Sequence, residues 1–243
     1  MTIAGLSPWV ALIALAIAFV GSSLQASIGI GLGLVAAPTM TLLDPDFVPG
    51  ALVIAVVPLT VGMAARERDH IDGRGLLTAV PGRFVGVIVG AFVLVNTGTG
   101  TIALVVAASV LIAVLASLTS RRFAPSPRNL AIAGAGSGFA GAVAGVGGPP
   151  MALTYQHADP GTLRSTLAVF HSIGAFVTIP SLIVAGAIGT HQWQLAALLV
   201  PGVLAGLFAG RYTIGRLPQT LVRLAVLVVC AASAVALLVQ QLA

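Results

Sequence analysis

The chain has 243 residues, of which 58% are hydrophobic and 7% charged, with a mean hydropathy of +1.10 and a formal net charge of +5. A soluble domain carries about 25% charged residues, so a chain this poor in charge cannot solvate its own surface, and most of that surface must face lipid. The positive charge does not indicate nucleic acid: the eleven Lys/Arg positions are all arginines, most of them scattered through short loops with no interleaved aromatics, the pattern of loops that set membrane topology.

Apolar runs cover roughly 8–43, 47–64, 75–95, 101–119, 130–157, 165–187, 193–212 and 219–241. The first has no basic region before it and is too long for a signal peptide, so it reads as a retained span. A straight crossing needs about 20 residues, and six runs fit. The runs 8–43 and 130–157 are too long, and each is interrupted by glycines: Gly29-Ile30-Gly31-Leu32-Gly33 in one, Gly145-Val146-Gly147-Gly148-Pro149-Pro150 in the other. Each is expected to be two helical arms meeting at a break. All six acids lie between runs, and the single cysteine, Cys230, lies in the last run, so a disulfide framework or cysteine-based metal site within the chain is excluded.

Arginine placement orients the runs. Arg66, Arg68 and Arg74, then Arg121, Arg122 and Arg128, then Arg211 and Arg216 mark three loops as cytoplasmic, whereas the arginine-free loops near 44–46, 96–100 and 188–192 are assigned outside. The stretch 158–164, with Arg164, is then also inside. This makes 130–157 a hairpin that begins and ends inside, and 8–43 one that begins and ends outside.

The halves also resemble each other. Pro81-Gly82, Gly86 and Gly90 recur as Pro201-Gly202, Gly206 and Gly210, 120 residues on, and Gly29 and Gly31 align with Gly145 and Gly147, 116 residues on. A hairpin plus three crossings in each half inverts the second half. The fold class expected is therefore an all-α, polytopic transmembrane bundle of two inverted-topology repeats, residues 1–123 and 130–243, joined by a cytoplasmic linker at 124–129. Many secondary transporters share this architecture.

Unwound backbone at membrane depth is tolerated only where it is buried in protein or lines a cavity. Two breaks at corresponding positions thus point to a shared site near the midplane. The substrate-binding candidates are Gly29, Gly31 and Gly33 of the first break and Gly145, Gly147, Gly148 and Pro149 of the second, with Ser27, Thr39 and Gln156 as side-chain donors. Pro149-Pro150 is expected to stop one arm, and the N-terminus of the next to offer N–H groups to an anion. The alternative is that the glycines serve only helix packing. Packing is the expected role of the Gly82/Gly86/Gly90 ridge and its counterpart.

Three ionisable residues are candidates for coupling or gating. Arg83 either snorkels to the inner interface or meets substrate. His171, about 10 Å beyond Arg164 along a helix, either couples transport to protons or is a packing histidine. Arg164 at the inner end of its run either gates or marks the inner side. With no carboxylate inside a run, an Asp/Glu proton relay and a cationic substrate are both disfavoured, which tilts the substrate towards anions.

The chain resembles the TauE/SafE family of sulfite and organosulfonate exporters over nearly its whole length. Gly145-Val146-Gly147-Gly148-Pro149-Pro150-Met151, followed by Arg164-Ser165-Thr166-Leu167, matches a common Gly-Gly-Pro-Pro form of the family. The first repeat departs where Leu32 replaces a third consecutive glycine. The resemblance implies a carrier for small sulfur oxyanions or sulfonates working by alternating access, and the inner, or plasma, membrane is the expected location of a helical membrane protein.

The expected partners are a small anion and the bilayer, with no cofactor, metal or nucleic acid. A homodimer and coupling to protons or sodium are left open. A passive anion channel is the nearer rival. An intramembrane hydrolase, built on Ser137 of Gly136-Ser137-Gly138 with His171 as its base, is the more distant one.

Overall fold

In a computed structural model the structure describes residues 4–96, 99–118 and 124–213, with the short stretches 227–228, 231–236 and 238–239. Arg121, Arg122, Arg216 and Cys230, and most of the final apolar run, lie outside the described residues. Nine helices and two single 3-10 turns account for the described fold, with no strand among the described residues.

Helix starts follow local chemistry. Ser7, Ser126 and Asp159 cap α1 (Pro8–Ile28), α6 (Pro127–Ala144) and α8 (Pro160–Val184). In each case the side-chain oxygen accepts from a backbone N–H of the first turn, and the following proline occupies a position where no N–H is needed. Asp72 caps α4 (Gly73–Val95) in the same way. The remaining helices are α2 (Leu32–Leu43), α3 (Gly50–Arg66), α5 (Thr99–Leu118), α7 (Gly148–Thr154) and α9 (Thr190–Thr213). Among the described residues, α1, α4, α8 and α9 are long and apolar enough to cross a membrane. Large apolar side chains such as Leu77, Phe92, Phe176 and Val184 stand exposed on α4 and α8, as lipid-facing residues do.

Both over-long runs are broken helices, and the breaks are narrower than the glycine clusters suggest. α1 ends at Gly29 (φ 87°) and α6 at Gly145 (φ 67°), left-handed conformations that glycine adopts without penalty. The first helix resumes at Leu32, so Leu32 and Gly33 belong to α2 rather than to the break. The second resumes at Gly148. Pro149 and Pro150 therefore begin α7 instead of stopping α6, because proline fits a first helical turn and Gly145 has already ended the preceding arm. They also remove two of the N–H groups expected to face an anion there.

The chain then doubles back in the same register twice. A Cβ on Gly31 would lie 3.0 Å from the Gly21 carbonyl, and one on Gly147 3.1 Å from the Ser137 carbonyl, ten residues back in each case. The tips of the two hairpins touch. A Cβ on Gly33 would come within 2.6 Å of the Gly145 carbonyl, and one on Gly148 within 3.4 Å of the Ile30 side chain.

The glycine ridges pack backbone on backbone between the halves. On α4, Gly82, Gly86 and Gly90 face the carbonyls of Ala131, Ala135 and Phe139 of α6, and Gly134 and Gly138 of α6 face Ala79 and Arg83 in return. On α9, Gly202, Gly206 and Gly210 face the carbonyls of Leu15, Phe19 and Ser23 of α1, at 2.7, 2.5 and 2.8 Å from where each Cβ would stand. The facing residues 15, 19 and 23 recur 116 positions later as 131, 135 and 139, so the two contacts correspond position by position.

Loops assigned to one face by their arginine content also meet in space. Glu67, Asp72 and His70 lie beside Arg164, Tyr155 and Gly161, respectively. Asp46 lies 3.5 Å from His191.

Adding one methyl to the ridge tests its packing. Gly86→Ala and Gly206→Ala are each expected to lower the stability of the detergent-purified protein by about 1–3 kcal/mol, read as a lower melting temperature. Gly73→Ala, where a Cβ meets nothing within 4 Å, should not. Equal melting of all three variants would mean that the helices are not in carbonyl contact.

Candidate functional site

Between the hairpin tips lies a cavity of about 50 Å³. At roughly 10–15 Å³ for each water-sized sphere, it has room for about three to five such spheres, the scale of a small oxyanion. Its backbone wall comes from both breaks: Gly29, Ile30 and Gly31 from the first and Gly145, Gly147 and Gly148 from the second, with Gly33 and Pro149 beside them. α3 closes one side with Leu52, Val53 and Val56. Polar groups enter from three helices: Gln25 of α1, Arg83 of α4, and His171 and Thr178 of α8. Arg83 and His171 are the ionisable residues in this lining.

Arg83 is ten residues into α4, about 15 Å from its start, and only 4% exposed. It therefore does not snorkel. Close contact between Gly138 and the Arg83 carbonyl seats the side chain against α6, where Nη1 donates to Ser137 Oγ at 3.0 Å. Ser137 in turn donates to the Gly147 carbonyl across a very short hydrogen bond, tying the arginine to the second break. The guanidinium lies 4.8 Å from the Phe170 ring centroid and directly on Gly174, where a Cβ would coincide with it. Its Nε is buried without a hydrogen-bond partner. No carboxylate among the described residues lies within 4.0 Å of it. A buried cation without a counter-charge costs several kcal/mol, and here the cavity is where a counter-charge would sit.

His171 is eleven residues into α8, about 16 Å from its start, and deeper than its distance from Arg164 suggests because the helix begins at Pro160. Its Nδ1 lies 2.7 Å from the Leu167 carbonyl. Its Nε2 lies 3.3 Å from the point where a Cβ on Gly147 would stand, as does Arg83 Nη1. Histidine and arginine thus flank one glycine of the second break. Ser137 gives its only hydroxyl proton to Gly147, so it is not paired with His171 as a nucleophile would be with its base.

The sequence-predicted residues divide clearly. Gly29, Gly31, Gly33, Gly145, Gly147, Gly148, Pro149, Arg83 and His171 come together around the cavity. Ser27 does not: its hydroxyl donates to Ser23 and Gly210 carbonyls at 2.7 and 3.1 Å, between α1 and α9. Thr39 donates within α2 to the Val35 carbonyl at 2.5 Å. Gln156 lies past the end of α7, outside the lining. Arg164 stands behind the first break instead of in the cavity. Its Nε donates to Glu67 at 3.0 and 3.2 Å, and its Cα and Cγ would lie 3.3 and 3.1 Å from a Cβ on Gly29.

Four further residues contribute that the site candidates did not include. Gln25 caps α2 by accepting from the Leu32 N–H at 3.0 Å, so that N–H is already spent. Gly174, Phe170 and Thr178 were not distinguishable from ordinary residues of an apolar helix. The only available signal was the four-residue spacing of Phe170, Gly174 and Thr178, which places them on one face of α8 with His171 next to it. Among the described residues, no group of three or more His, Cys, Asp or Glu side chains can hold a metal ion.

No curated protein and no solved structure matches the chain. A family model does: that of the sulfite exporter TauE/SafE, over residues 13–237. With a match that spans both broken hairpins and the cavity between them, the chain belongs to the TauE/SafE sulfite exporter family of multi-pass membrane transporters.

Proposed function

We propose that this protein is a secondary transporter that carries a small anion, sulfite or an organosulfonate, across the inner membrane by alternating access. The observation that carries the reading is Arg83: a guanidinium at mid-membrane depth, without a carboxylate partner, on the wall of a cavity sized for an oxyanion. A bound anion would supply the missing charge, and charge-assisted hydrogen bonds to guanidinium are about twice as strong as neutral ones. The glycines of the two breaks let an anion approach the backbone closely, and Gln25 adds a neutral polar contact, whereas the Thr178 hydroxyl is spent on the Gly174 carbonyl. The cavity lining contains no carboxylate to receive a cation.

Alternating access needs halves that can rock about the site. Support for two inverted repeats comes from the matched glycine contacts, α4 on α6 and α9 on α1, and from the two hairpins that fold back over the same ten residues. Two contacts join the halves at separate loop clusters: the mostly buried Glu67–Arg164 ion pair at 3.0 Å and the exposed Asp46–His191 contact at 3.5 Å, an ion pair only when the histidine is protonated. The exposed contact contributes at most about 1 kcal/mol, weak enough to open and re-form in a transport cycle. A channel would need no such alternation, and counterflow of labelled sulfite separates the two.

Arg83→Met tests the anion site with an opposed pair of signs. Replacing an uncompensated buried charge with an apolar side chain of similar length is expected to leave the melting temperature without ligand unchanged or higher. It should also abolish the shift produced by sulfite or a sulfonate, worth about 2.7 kcal/mol at a hundredfold excess over Kd. Retention of the wild-type shift would remove Arg83 from the site. Gly174→Ala pushes the guanidinium aside and should weaken anion binding more than tenfold with insertion intact. Gly147→Val fills the space between Ser137, Arg83 and His171 and should end transport. Unchanged flux in both would place the substrate path elsewhere.

A further inference from the structure

We infer that His171 binds a proton together with the anion, so that proton and anion are carried as a pair. This rests on the anion site proposed above and adds the second cargo to it. The Leu167 carbonyl can only accept a hydrogen bond, so Nδ1, 2.7 Å away, is the nitrogen that carries hydrogen in the neutral ring. Nε2 then presents a lone pair on the cavity side, 3.3 Å from where a Cβ on Gly147 would stand, the same distance as Arg83 Nη1. A ring with Nδ1 fixed on a carbonyl and Nε2 facing the cavity can donate to an anion there only as the imidazolium, which has two N–H donors.

Arg83 is what opposes that state. It is the charged group facing His171 from α4. The lining contributed by α1, α2, α3, α6 and α7 carries no charge, and on α8 itself Arg164 is two turns away and paired with Glu67. With the cavity empty, a second cation beside Arg83 is repelled, and the ring stays neutral. An anion between them reverses the sign of the local field, and Nε2 can then accept a proton and donate to the anion. For a dianion the sum is neutral: two negative charges, one guanidinium and one imidazolium. A neutral loaded cavity avoids the cost of moving net charge through the bilayer. Bond making is limited to N–H formation at Nε2, with the proton drawn from solvent on loading and returned on release.

The bound state holds one more proton than the free state. Affinity is therefore full at low pH and is lost as pH rises, by up to about tenfold per pH unit across roughly pH 5 to 8. The test uses the full chain in detergent, titrated with sulfite, sulfate and thiosulfate, the last two of which do not change protonation in that range. Calorimetry in two buffers of different ionisation heat should count about one proton taken up per dianion bound. His171→Gln, with a fixed amide donor, should still bind the anion through Arg83 but lose both the slope and the uptake. His171→Asn serves if that variant folds poorly. If only sulfite binds, the substituted protein should take up one proton fewer than the wild type. Anion binding with no uptake, or an equal uptake and slope in the variant, overturns the proton pairing and leaves the anion site standing. No binding of any of the three anions by the wild type at any pH overturns both.

Discussion

A guanidinium held at mid-membrane depth without a carboxylate is the constraint around which the rest of this structure is arranged. Arg83 reaches its position because α4 and α6 approach until glycine meets carbonyl, which leaves room for the side chain only towards Ser137, Phe170 and Gly174. Each neighbour treats the charge differently. Ser137 relays it to the Gly147 carbonyl, Phe170 offers the face of a ring, and Gly174 offers nothing but space. None neutralises it. Several kcal/mol of desolvation are thus left unbalanced by the protein itself, and natural sequences retain such a deficit where function needs it.

The same close packing explains how unwound backbone survives in a lipid-facing chain. The left-handed residues Gly29 and Gly145 end their helices with capping hydrogen bonds to the preceding turn, and each hairpin folds back onto its own first arm. Gln25 caps α2 from within that fold, and Pro149 and Pro150 lower the number of donors that α7 has to satisfy. Gly29, Leu32, Gly145 and Val146 thus have acceptors for their N–H groups, whereas those of Ile30, Gly31, Gly33, Gly147 and Gly148 have none among the described residues. The proposed anion site can therefore draw on backbone N–H groups of the breaks as well as on side chains from α4 and α8.

Much of this was legible in the sequence, and what was not has a common cause. Over-long apolar runs with central glycines identified both broken helices, and fourfold glycine spacing identified the packing ridges, because length and periodicity are properties of a chain read by itself. Ser27 and Thr39 looked like ligands for their proximity to the first break, yet their hydroxyls turn back to carbonyls of the preceding helical turn, as serine and threonine in apolar helices do when no water is near. Arg164 has the right charge in the wrong place, since Glu67, nearly a hundred residues away, claims it. Arg83 was balanced between snorkelling and substrate in the sequence. Only the approach of α6, and the gap left by Gly174, decides which way a long flexible side chain points.

The site itself does not follow the resemblance between the halves. Along the two ridges Gly82 matches Gly202 and Gly86 matches Gly206, yet the position of Arg83 is taken in the second ridge by Val203, fully buried and apolar. Likewise, Gln25 in the first hairpin corresponds to Gly141 in the second. Scaffold and chemistry thus obey different rules. The two ridge contacts need glycine in both halves, because each ridge meets a facing backbone at carbonyl distance. A cavity for the single small anion proposed above needs one cation. A second arginine at position 203 would bring another unpaired charge into the membrane with no ligand to balance it. The matched ridges therefore carry a single buried arginine at this position, with one histidine, His171, beside it in the cavity lining.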